Sequence, residues 1–259
     1  MKTILYTGSC SGIAKAVIKK LKKKYFIYLA VHTDKQLELV TKRYENERNV
    51  KCIKLDITNK KDLKQLEKLK IDILINNAAI GIGGSISEIK MNKVRENFEV
   101  NVFSSFEVVQ IVLKQMIERK TGKIIIMGSL AALIPINFLG VYCATKASIQ
   151  KLTLTLQNEL KMINKNIKVV LIEPGLYKTG FNQVMLENKY DWMNIDSYFK
   201  PELDMIRKKE NKMFNLLEKK RLNSIVNQIT EAVNDKNPKS IYRAPLIQTI
   251  GCKLYQLFK

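Results

Sequence analysis

A single histidine, His32, and four scattered cysteines leave little material for a metal centre. Cys10, Cys52, Cys143 and Cys252 form no CxxC pair, and structural zinc sites need clustered ligands of that kind. No metal is therefore expected, and unpaired thiols suit a cytoplasmic setting. The chain also shows no charged-then-apolar leader, because MKTILYTGS runs straight into a β-like stretch. No apolar run reads as long enough to cross a bilayer. Neither a Pro/Gly/Ser-rich linker nor an internal repeat divides the 259 residues, so one domain over 1–259 is expected. A chain of this length buries roughly three-quarters of its unfolded surface and needs no staples.

Acid is scarce as well. Asp and Glu together number 24 against 45 Lys and Arg, a formal net charge of +21. Such an excess can signal nucleic acid or an anionic surface. The lysines, however, recur at helical spacing among leucines and isoleucines, as in KKLKKKY, NKKDLKQLEKLK and MIRKKENKMFNLLEKK. That is the pattern of solvated helix faces. Aromatics do not interleave with a basic stripe, as stacking on single strands requires, so no nucleic-acid partner is expected.

What is present is a rhythm. Short β-branched runs (TILYT, YFIYLAV, VKCIKL, IDILINN, GKIIIMGS, IKVVLIEPG) alternate with amphipathic stretches, among them a long one from about Met91 to Glu118 and another from about Val141 to Ile163. Strands apolar on both faces and separated by helices predict an α/β fold, a doubly wound parallel sheet of Rossmann type. The rhythm lapses from Phe181 to about Lys236, a helical, Met-rich excursion too long for a simple connection. Phe181, Met185, Trp192, Met193, Tyr198 and Phe199 could form an apolar lid there, or a packing layer. SIYRAP reads as a last strand and LIQTIGCKLYQLFK, residues 246–259, as a terminal amphipathic helix.

Directly after the first strand stands TGSCSGIAKA, with Gly8, Ser9, Ser11, Gly12 and Ile13. Glycines at a strand-to-helix turn let the backbone approach a pyrophosphate at the helix N-terminus. The second strand ends on Val31 and His32 with no acid to bind an NAD ribose. Thr33 and Gln36 form a capping box, which makes Asp34 a first-turn helix residue. His32, Thr33 and Lys35 could take a 2′-phosphate, so NADP is expected, with NAD left open.

In GVYCATKA, Tyr142 and Lys146 are four apart and share a helix face. Hydride chemistry on a carbonyl needs a proton for the new alkoxide, and a tyrosine serves both directions when its pKa, about 10 unperturbed, moves toward neutral. An ammonium about 4 Å away in a partly screened site supplies roughly the 4 kcal/mol such a shift needs. Lys146 is placed to be that ammonium.

Taken together, TGSCSGIA, LDIT, NNAA, Asn101, Ser129, YCATK and EPGLYKT resemble the short-chain dehydrogenase/reductase family, in the family's order, over roughly residues 1–180. The resemblance implies an NAD(P)-dependent oxidoreductase acting on a carbonyl or secondary alcohol, with Tyr142 as acid/base, Ser129 holding the carbonyl and Lys146 on the nicotinamide ribose. Asn101 would order a water behind the lysine. Asp56 and Ile57 of LDIT would lie at the adenine, Asn77 would brace the sheet, and Pro174, Gly175 and Thr179 would meet the nicotinamide. Ala79, Gly128 and Ser104 depart from the usual residues by small-for-small changes. The family implies a homodimer or homotetramer through the two long helices, and Val100, Phe103, Phe106, Val109 and Val112 could supply that surface. A non-catalytic dinucleotide-binding sensor or scaffold is the competing reading, but such proteins commonly lose the tyrosine or lysine. Cys10 and Cys143 flank the site in sequence as small packing residues. In the tail, Ile247, Ile250, Leu254, Leu257 and Phe258 recur at helical spacing beside Lys253 and Lys259. Peripheral membrane contact is one use for such a stripe. Packing within the chain or between subunits is expected instead, since an isolated helix this short is marginal.

Overall fold

Along β1 (Thr3–Thr7), Ile4 and Tyr6 point to one face and Leu5 to the other, as a pleated strand requires. The computed structural model describes residues 1–258; Lys259 of the tail lies outside the described residues. From β1 the chain passes through α1 (Gly12–Leu21), β2 (Phe26–Val31), α2 (Asp34–Tyr44), β3 (Val50–Lys54) and α3 (Lys60–Lys64). Then follow β4 (Ile73–Asn76), α4 (Met91–Phe98), α5 (Ser105–Glu118), β5 (Gly122–Met127), α6 (Gly140–Ile163) and β6 (Ile167–Pro174). The C-terminal part holds α7 (Phe181–Met193), α8 (Leu203–Leu217), α9 (Asn223–Asn234), β7 (Ile241–Ala244) and α10 (Leu246–Leu257).

The seven strands form one parallel sheet in the order β3-β2-β1-β4-β5-β6-β7, the doubly wound Rossmann-type arrangement the sequence predicts. One face carries Ile4, Tyr6, Leu29, Ile75 and Ile172 against α1 and α9; the other carries Leu5, Leu74, Ile126 and Leu171 against α5 and α6. Local chemistry starts the helices. Ser11 accepts a bond from Ala14 N at 3.1 Å, and Thr33 with Gln36 forms the expected capping box.

Four expectations change. Met91–Glu118 spans 28 residues and, among the described residues, is long and apolar enough by length and composition to cross a membrane, contrary to the sequence reading. Half of its most apolar window is buried, and Val108, Val109, Val112 and Met116 pack against the sheet, which accounts for its apolarity. Nor is it a continuous α-helix: a π-helical segment, Glu99–Ser104, separates α4 from α5. The stripe proposed as a subunit surface splits, because Val109 and Val112 are core while Phe103 is exposed. Finally, α9 buries Ile225, Ile229 and Ala232 in the main core and is an ordinary crossover helix, so the excursion ends near residue 222 rather than 236.

Lys123 ties α9 to the sheet. Its buried ammonium donates to the carbonyls of Ala232 and Val233, each at 2.8 Å, and to Asp235 O at 2.5 Å, capping the helix C-terminus. Lys123→Met keeps the stem but strands those carbonyls, and should lower unfolding free energy by about 2 kcal/mol or more. Urea unfolding that moves by less than about 0.5 kcal/mol would show the cap to be dispensable.

Candidate active site

Chain winding reverses between β1 and β4, so their C-terminal ends diverge and leave a crevice. Thr7, the last residue of β1, spans it. Its hydroxyl accepts from Asn77 N at 2.9 Å and Ala78 N at 3.0 Å and donates to Asn76 Oδ1 at 3.2 Å. Asn77 reaches back, donating to Thr7 O at 3.1 Å and Gly8 O at 2.9 Å. Gly8 turns the chain with φ +62°, and a Cβ there would sit 2.8 Å from Ala78 Cα. Only glycine suits that turn. A Cβ on Gly12 would stand 3.1 Å from Thr179 Cβ, which brings the start of α1 against the loop after β6.

A cavity of about 580 Å³ opens along this crevice. Gly8, Ser11, Ile13 and Asn77 line one end of it, where the N-terminus of α1 presents its positive dipole end. The turn and the helix end fit an anionic pyrophosphate. Ser9 does not face the cavity; its hydroxyl donates to Ala30 O at 3.0 Å and anchors the loop to β2. Pro174 at the end of β6, and Gly175 and Thr179 of the loop that follows, line it as well.

Ser129, Tyr142 and Lys146 line the same cavity. Ser129 lies two residues past the end of β5 and caps a 3₁₀ turn, accepting from Ala131 N at 3.1 Å, and its hydroxyl also bonds the Tyr142 phenol. Lys146 is buried; its Nζ donates to Met127 O at 3.0 Å and lies 5.8 Å from the centroid of the Tyr142 ring. Burial pushes the Tyr142 phenol up to about 12, with the Ser129 bond opposing it. Burial likewise lowers Lys146 to about 8. The expectation that Lys146 draws the phenol toward neutral is not met in this arrangement. Desolvation outweighs attraction here, and the ammonium is aimed at a backbone carbonyl.

Asn101 sits in the π-helical segment and does not line the cavity. Its amide clasps the backbone of Ile80, accepting from N at 2.8 Å and donating to O at 2.9 Å, and it also donates to Thr145 Oγ1 at 3.2 Å. His32 and Thr33 stand beyond the cavity at the end of β2. His32 Nε2 is 3.4 Å from Asp56 Oδ2, and the Thr33 hydroxyl is engaged by Gln36 N. Partial burial opposes ionisation of Asp56, but its two bonds from Thr58 and the nearby His32 prevail and hold the carboxyl below its ordinary value. The Ile57 side chain packs in the sheet's second core beside Leu55 and Leu63 and, like Asp56, does not line the cavity.

The ceiling of the cavity comes from the excursion and the tail. Of the six lid candidates, Phe181 and Met185 line the cavity. Trp192 instead packs on Gly84 and donates to Gly83 O at 3.4 Å, Met193 and Phe199 pack with Leu203, and Tyr198 is exposed. Sequence reasoning missed Met213, Phe214 and Leu217 of α8, whose stretch reads as a solvated face yet turns an apolar edge inward. It also missed Gln248, which accepts from Leu176 N and donates to Leu217 O, each at 2.7 Å. Cys252, not Cys10 or Cys143, is the cysteine on the cavity wall. Buried Lys189 and Tyr190 of α7 both bond Glu210 of α8, the tyrosine hydroxyl donating at 2.5 Å, and this clamps the two helices together.

The short chain dehydrogenase family model matches residues 2–189. A probable short-chain type dehydrogenase/reductase, VdlC, of Helicobacter pylori is 31% identical over 190 residues, covering 70% of this chain and 67% of that protein. A 3-ketodihydrosphingosine reductase of Bacteroides thetaiotaomicron is 28% identical over 259 residues, covering 96% of this chain and 90% of that protein. Among solved structures, a short chain dehydrogenase/reductase from Burkholderia phymatum in complex with NAD superposes with a TM-score of 0.80 at 21% identity, over 98% of this chain and 92% of that one. The chain belongs to the short chain dehydrogenase family and is an oxidoreductase acting on CH–OH or C=O groups.

Proposed function

We propose that this protein uses NADPH to reduce the carbonyl of a long, apolar, lipid-like molecule. One observation carries the reading: a single cavity holds Ser129, Tyr142 and Lys146 at its polar end and an apolar ceiling of Phe181, Met185, Met213, Phe214 and Leu217 at the other. Its volume, about 580 Å³, falls in the range of small-molecule sites. The near-full-length similarity to a 3-ketodihydrosphingosine reductase supports the substrate class, because at 96% of this chain it extends through the excursion that builds much of the ceiling.

When bound, the dinucleotide supplies the hydride. Gly8, Ser11, Gly12 and Ile13 would receive its pyrophosphate at the N-terminus of α1, Lys146 would hold the nicotinamide ribose, and Pro174, Gly175 and Thr179 would hold the carboxamide side. Asp56 and the Ile57 backbone would border the adenine, with Asn77 bracing the crevice beneath. Ser129 donates a hydrogen bond to the substrate carbonyl, and Tyr142 passes its phenolic proton to the same oxygen. Asn101 is a positioning residue that fixes the Ile80 backbone behind Tyr142 through Thr145, which itself donates to Tyr142 O at 2.8 Å. The non-catalytic sensor reading is disfavoured by the meeting of Ser129, Tyr142 and Lys146 in one cavity. Free thiols suit a cytoplasmic enzyme, and exposed Phe103, Ile117 and Leu152 on the outer helices suit a homodimer or homotetramer.

Tyr142→Phe removes only the proton donor, so turnover should fall at least about 10²-fold while NADPH affinity stays within a few-fold. Activity close to the parent's would sink the mechanism. The pH profile follows from burial. A phenol held near 12 stays protonated at neutral pH, so ketone reduction should be flat up to about 8 and fall above it as Lys146 loses its charge. Alcohol oxidation needs the phenolate and should rise with pH over the same interval. A reduction rate that climbs steadily from neutral to alkaline pH would contradict this assignment. With His32, Thr33 and Lys35 where an acid would favour NAD, NADPH should bind more tightly than NADH. A fluorescence titration giving equal constants would overturn that preference.

A further inference from the structure

Helix α10 is apolar on two sides. At about 100° per residue, Leu246, Ile250, Leu254 and Leu257 fall in one stripe; Ile247 comes next around the helix, followed by Gly251 and Tyr255. Those last three line the cavity. The stripe itself faces out, with Leu246 exposed by 71% and Leu257 by 78%. Across the cavity mouth Gln248 donates to the carbonyl of Leu217, and the neighbouring Leu216 of α8 is exposed by 80%. Apolar surface therefore runs from the outside of α10 over Ile247 into the cavity mouth. Monomeric proteins rarely expose so continuous a patch without using it.

Charge says what the patch meets. From Lys236 onward the sequence holds four lysines, one arginine and no acid. Arg243 is paired with Glu173 at 2.6 Å and Lys239 with Glu231 at 3.4 Å, while Lys253, close enough to Glu173 to favour its charged form, is exposed on the flank of α10. Lys219, Lys220 and Arg221, all exposed, follow the end of α8, and the neighbouring Glu218 is engaged by Asn182 and Gln183. A second copy seated on this face would set these cations against each other and close the mouth. An anionic lipid surface satisfies both features.

We propose that α10 and the end of α8 dock the protein on an anionic membrane surface, seating the stripe among the headgroups and opening the cavity toward the bilayer. An apolar substrate then moves from lipid into the cavity without crossing water. The proposal rests on the reading of the cavity as the substrate site.

The test is sedimentation with vesicles of phosphatidylglycerol and phosphatidylcholine, against phosphatidylcholine alone, with a short water-soluble ketone assayed in parallel. The protein should sediment with the anionic vesicles and be released by high salt. Leu254→Glu/Leu257→Glu should weaken vesicle binding at least about tenfold while melting temperature and short-ketone turnover stay close to the parent's. Lys219→Ala/Lys220→Ala should weaken only the anionic-vesicle binding. Parent protein left in the supernatant, or a leucine variant that binds as well as the parent, overturns the docking. So does a leucine variant that converts an oligomer to monomers in sedimentation velocity, because the stripe then joins copies. If the parent fails to turn over the short ketone, it is the reductase reading that falls, whatever the vesicles show.

Discussion

The reversal of winding between β1 and β4 is the constraint on which the rest of the molecule depends. Two parallel strands whose chains leave in opposite directions cannot be joined by a short turn, so their ends are left with unmade backbone bonds over a gap. Thr7 meets that need with one hydroxyl, accepting two N–H groups from the β4 side and donating to Asn76. Asn76 in turn donates to Ser105 O and Oγ, each at 2.9 Å, which ties the crevice to the first turn of α5. The glycine turn, the start of α1 and the π-helical segment are thereby fixed relative to one another before any ligand is considered.

Burial then sets the chemistry. Tyr142 and Lys146 are both almost wholly covered, and in a low-dielectric setting each is driven toward its neutral form. For the tyrosine that means a protonated phenol, the form that gives a proton away. For the lysine it means an ammonium lowered to about 8 by burial, which still carries its charge at neutral pH and points at Met127 O. Both side chains are carried on α6, but their surroundings come from β5, from the 3₁₀ turn that Ser129 starts, and from Asn101 through Thr145. The shared helix face brings the two together, and the environment decides which of them ionises.

Much of this is legible in the sequence, and the reason is locality. Strand runs, the Thr33 capping box and the four-residue spacing of Tyr142 and Lys146 are short-range patterns, and the structure forms the sheet, the cap and the one helix that carries both side chains. Misreadings arise where long-range packing overrides the local signal. The Met91–Glu118 stretch reads as unbroken helix because nothing in its residues announces the extra residue per turn that lets Asn101 reach Ile80. Ser9 and Ile57 sit within good motifs yet turn away from the cavity, since a motif fixes the path of the backbone and leaves each side chain's direction to the core. The excursion is the hardest part. Phe181 and Trp192 are equally plausible lid residues by type, and only the fold tells them apart.

The cavity is accordingly built in two ways. Its floor is strand ends and the turns that follow them, where backbone bonds set the geometry and a Cβ on Gly8 or Gly175 has no room. Its ceiling is α7, α8 and α10, held by side chains: Lys189 and Tyr190 on Glu210, Gln248 between Leu176 and Leu217, and Asn182 on Glu218 at 2.7 Å. Side-chain clamps shift with single substitutions in a way that strand ends do not. Ser129 stands on the floor, and Tyr142 and Lys146 reach the cavity from α6, which packs on the sheet. The ceiling's residues, by contrast, can vary without moving a strand. The family model's match ends at residue 189, within α7, where floor gives way to ceiling.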